Sequence, residues 1–189
     1  MLSTPHRIAV IGASNSGKST CVQTLTRIDM PDWLCDLASP NSNTQRPDTL
    51  DYGEMLLGDG TMVQVFGLPE QRHVFSLFDD VRESFLGIVL MVDASSPSGI
   101  DDVERILRDH GDLLRSTSCV AALNKGNDPA QLPRQQVREK LLEHGITAPV
   151  MAVDARWQED MLGVVKMLFL RVFSDSVGSS VTAKAHSLH

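Results

Sequence analysis

Residues 12–20 read GASNSGKST and set Gly12, Gly17, Lys18 and Ser19 in the spacing G-x-x-x-x-G-K-[ST]. Glycines at the two ends of such a stretch let the backbone bend tightly, so that successive N–H groups surround an anion. The backbone of Ala13, Ser14, Asn15, Ser16, Gly17, Lys18 and Ser19 would then cradle phosphates, with Thr20 in the turn that follows. Lys18 would reach the β and γ oxygens of a nucleoside triphosphate, and the Ser19 hydroxyl would hold Mg2+. The chemistry on offer is nucleotide binding, with the base and any hydrolysis left open by this stretch alone.

Such a loop needs a strand before it and a helix after it. Ile8 to Ile11 is a short continuous apolar run, as in a strand buried on both faces. After the loop, Cys21, Val22, Leu25 and Ile28 fall on one helical face. Residues 29–47 are polar and hold Pro31, Pro40 and Pro47, which predicts a long loop. Leu50 to Leu57 and Met62 to Leu68 flank GDGT and predict an antiparallel hairpin turning at Asp59-Gly60. A helix is expected over 72–85, then a buried strand LGIVLMVD over 86–93. Val103, Ile106, Leu107, His110 and Leu114 mark a helix, CVAALN (119–124) a strand, and Val137, Leu141 and Leu142 a helix stopping near Gly145. APVMAVD (148–154) is the last strand and 157–173 the last helix, and the Ser-rich 174–189 predicts a disordered tail. Strands alternating with helices imply an α/β domain over 1–173, with a mostly parallel six-stranded sheet, one antiparallel hairpin strand and helices on both faces.

The composition narrows the partners. A net charge of −7, with 17 basic against 24 acidic residues, gives no electrostatic reason to expect nucleic acid. No apolar run reaches the roughly 18 residues of a membrane span. The first apolar stretch runs straight into the glycine loop, unlike a signal peptide. Cys21, Cys35 and Cys119 lack metal or redox spacing and read as reduced thiols, so a cytoplasmic protein without its own membrane anchor is expected.

With GASNSGKST, TLDYGEM, FGLPEQ, NKGND and DAR in that order over residues 6–173, the chain resembles the Ras-like small GTPases. More narrowly, it is similar to the bacterial branch of gliding-motility and polarity GTPases of the MglA type and their relatives in signalling modules. The resemblance implies a Ras-like P-loop NTPase fold, GTP/GDP and Mg2+ as ligands, and regulatory partners such as small roadblock-fold proteins. It also assigns roles. Gln71 keeps the position that orients the attacking water, and Arg46 matches an arginine that acts in cis on the γ-phosphate, against the alternative of a solvated loop arginine. Asn124 and Lys125 open the base-reading motif, and Asp154, Ala155 and Arg156 stand where the family has Ser-Ala-Lys, with the Ala155 N–H given to the base carbonyl.

Every stretch after the first departs from the family pattern. The threonine that ligates Mg2+ and senses the γ-phosphate is replaced by Pro47, which has neither hydroxyl nor N–H, although Thr44 and Thr49 are near. The aspartate of the second switch is Gly67, as is usual in the bacterial branch, and its γ-sensing glycine is Glu70. In the base motif Asn127 precedes Asp128, which arrives one residue late. Asn127 offers one acceptor and one donor, which suits guanine poorly and xanthine better, or contacts adenine N1, whereas a bulge at Gly126 would bring Asp128 into place. Two functions follow from different classes: a switch that hydrolyses GTP slowly using Lys18, Ser19, Gln71 and Arg46, or a degenerate relative that binds nucleotide constitutively or not at all and works as a protein-interaction scaffold. The hairpin after the first loop argues against a kinase of the phosphoryl-transfer type.

Overall fold

A computed structural model of the chain describes residues 6–26, 51–68, 85–126 and 132–175, with the backbone continuing to 186. Strands run over β1 (His6–Gly12), β2 (Asp51–Leu56), β3 (Met62–Gly67), β4 (Phe85–Asp93), β5 (Cys119–Asn124) and β6 (Val150–Val153). Helices among the described residues are α1 (Lys18–Leu25), α2 (Gly99–Ser116), α3 (Arg134–Glu143) and α4 (Gln158–His186). The strands form one six-stranded sheet in the order β2-β3-β1-β4-β5-β6, parallel except for the β2–β3 pair.

The continuous apolar strands are buried on both faces, as their composition requires. On one face Ala9, Ile11, Ile88, Leu90 and Leu123 pack with Val103, Leu107, Val137 and Leu141 of α2 and α3. On the other, Ile8, Val10, Val89, Met91 and Val120 pack with Cys21, Val22 and Leu25 of α1 and Met161, Val164 and Leu168 of α4. Period-two alternation within each strand therefore divides one sheet between two helical layers. Burial raises both described thiols, Cys21 and Cys119, to about 12, so neither is a nucleophile near neutral pH.

The hairpin turns where Asp59-Gly60 predicts. Gly60 has φ of 82°, its N–H donates to the Leu57 carbonyl at 2.9 Å, and Asp59 Oδ1 accepts the Thr61 N–H at 2.9 Å. Element ends shift slightly from the sequence expectation: α2 begins at Gly99, and β6 is confined to Val150–Val153. A larger difference lies at the C-terminal side, where α4 runs on to His186 past the tail expected from Ser174. Once a helix exists, each further residue adds one hydrogen bond at little cost, and Ala183, Lys184 and Ala185 are strong helix formers. The expected loop over 29–47 and all of the expected helix over 72–85 but its last residue lie outside the described residues; Phe85 opens β4 instead.

Candidate nucleotide site

β1 lies between β3 and β4, so the winding of the sheet reverses around it. Crevices at such a reversal, beyond the carboxyl ends of parallel strands, are where open α/β sheets bind ligands. GASNSGKST occupies that position, leaving β1 at Gly12 and entering α1 at Lys18. Gly12 and Gly17 take φ of 156° and 102°, and Asn15, with φ of 62°, takes the left-handed turn between them. Space demands the glycines as much as conformation does. A Cβ on Gly12 would lie 2.4 Å from the Met91 carbonyl oxygen, and one on Gly17 would lie 2.3 Å from Asn124 Nδ2.

The first N–H groups of α1 have no acceptor inside the helix, and Gly17 provides no side-chain cap. Ser14 and Asn15 are exposed at the crest of the loop while Ser16 is fully buried beneath it. Lys18 Nζ donates to the carbonyls of Gly12 at 3.0 Å and Ala13 at 2.8 Å, which holds the ammonium over the loop it belongs to. Uncapped N–H groups, the positive helix end and a nearby ammonium fit phosphate oxygens.

Asn124, at the end of β5 and 4% exposed, ties two stretches of the motif set together. Its Nδ2 donates to the Ser16 carbonyl at 3.0 Å, and its Oδ1 accepts the Ala155 N–H at 2.9 Å. Thr24 of α1 donates to the Ala155 carbonyl at 2.7 Å. Ala155 is therefore engaged at both its N–H and its carbonyl, and the N–H expected to meet a base carbonyl donates to Asn124 in this structure. The aligning cause is burial, because Ala155 is 1% exposed and a buried N–H demands a partner.

Lys125, with φ of 63°, also turns toward the loop. Its Nζ donates to the Asn15 carbonyl and to Asp93 Oδ2, both at 2.6 Å. Burial works to raise the Asp93 pKa, but the Lys125 ammonium and the Ser95 hydroxyl and N–H outweigh it, so the carboxyl sits below its ordinary range. Arg156 grips Asp154 through side chain and backbone, and Asp154 is held at about 2. Asp154 and Arg156 thus form a turn closed by its own ion pair beside Ala155.

Sequence reasoning missed two carboxylates here. Asp93 is one. The other is Asp51, the first residue of β2, which accepts the Ser19 hydroxyl at 2.6 Å on Oδ2. Asp51 pairs across the hairpin with Gly67, the position where the family carries an aspartate. A Cβ on Gly67 would lie 2.9 Å from Asp51 Cβ, so the glycine makes room for this carboxylate. The antiparallel register was the signal that finds it, since cross-strand partners can exchange a functional group. A hydroxyl and a carboxylate oxygen in contact are the hard donors that Mg2+ takes alongside phosphates and water, so the residues present fit that ion.

Burial raises the Asp51 pKa, against the lowering by the Ser19 hydroxyl and the Lys18 charge. The folded protein then binds the Asp51 proton more readily than the unfolded chain does. This group's contribution to stability accordingly rises as pH falls through its raised pKa, above the ordinary carboxylate range, and is unfavourable at neutral pH. Asp51→Asn is expected to leave stability at pH 7 equal or higher in urea unfolding while weakening the Mg2+ dependence of nucleotide binding about tenfold, the loss of one charge-assisted contact. Loss of stability with unchanged Mg2+ dependence would mean that Asp51 serves only the fold.

Arg46, Pro47, Glu70, Gln71, Asn127 and Asp128 lie outside the described residues. Among the described residues no cluster of three or more metal-ligating side chains occurs, and no helix is long and apolar enough to cross a membrane. No protein-family model matches the chain, and no curated protein is significantly similar to it.

Proposed function

We propose that this chain is a divergent small GTPase-like protein of the Ras-like type. It binds a guanine nucleotide with Mg2+ at residues 12–20, hydrolyses it slowly or not at all, and regulates protein partners in a bacterial polarity, motility or signalling module. The observation that carries the reading is the Asn124 bridge, which joins the loop at Ser16 to the turn at Ala155. It gathers three of the sequence motifs at the carboxyl end of the sheet, where phosphates and base of one ligand are read together. Lys18 would neutralise phosphate charge, Ser19 with Asp51 would hold the metal, and Gln71 and Arg46 would act on the γ-phosphate. Slow turnover is expected because Pro47 and Glu70 replace both γ-phosphate sensors.

A second reading is a scaffold that binds nucleotide constitutively or not at all. It is favoured by the engagement of the Ala155 N–H and the Lys125 ammonium within the protein, which takes two groups from the base pocket. Titration calorimetry with Mg2+ and GTP, a slowly hydrolysed GTP analogue, GDP, ATP and XTP separates the readings. Binding of GTP and its analogue clearly tighter than GDP is the expected result for a switch, since only a differential affinity moves a population. Equal binding of GTP and GDP identifies the scaffold. Preference for XTP or ATP overturns the guanine assignment, and binding of no nucleotide overturns the nucleotide site itself.

A further inference from the structure

Beside the edge strand β6 lies a cavity of about 510 Å3, lined by Arg134 and Arg138 of α3, Thr147 and Val150 at the entry to β6, and Arg171 of α4. None of its lining residues belongs to the phosphate loop, so this inference stands apart from the nucleotide reading. Among the described residues three arginines and no carboxylate line it, in a chain whose net charge is −7. Converging like charges repel unless an anion sits between them. The first turn of α3 adds to the field, because it holds Arg134 and no acidic residue to offset the positive helix end. Arg138 follows one turn later on the same face.

Arg171 supplies a separate indication. Its Nε is buried without a hydrogen-bond partner, and Asp175 Oδ2 stands 3.8 Å away while accepting the Ser118 hydroxyl at 2.6 Å. That N–H is closed off from the cavity as well as from water, whereas the Arg171 side chain as a whole is 29% exposed and lines the cavity, where its outer N–H groups can meet an anion. Leu142 and Ile146 give the same cavity an apolar wall. The volume falls in the range of roughly 300–1,000 Å3 that small-molecule sites occupy.

We propose that this cavity binds a small phosphate monoester carrying an apolar body. The guanidinium forks of Arg134, Arg138 and Arg171 take the phosphate oxygens, and the wall of Leu142 and Ile146 takes the body. The test uses phenyl phosphate as the probe and the full chain labelled with 15N, following the amide resonances of Thr147 and Ala148. Saturable shifts at both amides are expected. They persist in Lys18→Ala, which disables the other phosphate site, and the affinity falls about tenfold or more in Arg138→Gln, an exposed position whose change the fold tolerates. Shifts confined to residues 12–20, or an Arg138→Gln affinity equal to that of the parent chain, overturn the proposal. Phenylacetate binding as tightly as phenyl phosphate overturns the phosphate assignment.

Discussion

Lys18→Ala is expected to weaken binding of a nucleoside triphosphate by at least ~30-fold, with little change in the stability of the protein. The two halves have different causes. Removing one partner of a desolvated charge pair costs about 2–5 kcal/mol of binding, and each 1.4 kcal/mol is about tenfold in affinity. In the protein itself the ammonium is half-buried and rests on the carbonyls of Gly12 and Ala13, and the space that it vacates would admit water to them. Its loss should therefore cost about 1 kcal/mol or less in urea unfolding. Calorimetry of the variant beside its unfolding curve reads both. An unchanged affinity would show that the loop holds no phosphate, and a loss of binding matched by an equal loss of stability would show a structural role instead.

Asn124→Ala should do the reverse, with stability falling first. The substitution strands the Ser16 carbonyl and the Ala155 N–H, both in buried residues. Each orphaned buried group costs about 1–3 kcal/mol, so a loss of about 2–6 kcal/mol is expected for the two. Asn124→Asp separates the bonding roles: it keeps an acceptor for the Ala155 N–H and removes the donor for Ser16, and should cost as much, because it also buries a charge. Hydrogen exchange at the Ala155 amide gives the local readout, rising in the alanine variant and staying protected in the aspartate one. A change below ~0.5 kcal/mol in Asn124→Ala, the size of an ordinary surface substitution, would mean that the bridge does not hold the loop in solution.

Legibility in the sequence followed the range of the forces. Continuous apolar runs made β1, β4 and β5 readable, since a strand buried on both faces has no other way to be written. The hairpin was readable from Asp59-Gly60, because left-handed backbone is a local demand. The shape of the glycine loop was readable for the same reason, its glycines being required at Gly12 and Gly17 by backbone and space together. Asp51 was not readable as a site residue, because its meeting with Ser19 and Gly67 depends on the register of two paired strands. The Asn124 partner of the Ala155 N–H was not readable for a related cause: it comes from the end of another strand, and no local pattern announces it. The extent of α4 was underestimated because serine-rich composition speaks of weak burial, whereas helix extension needs only an existing helix end.

The Asn124 bridge spans 108 positions of the chain. During synthesis, at about 5–20 residues per second, Ser16 emerges roughly 5 to 20 s before the side chain that fixes it. The glycine loop is therefore not a portable module that folds as it is made. Its shape is fixed by Asn124 only when β5 joins the sheet, and until then Gly12 and Gly17 leave its backbone wide conformational freedom. Fixing of the loop and addition of β5 to the sheet therefore become one event.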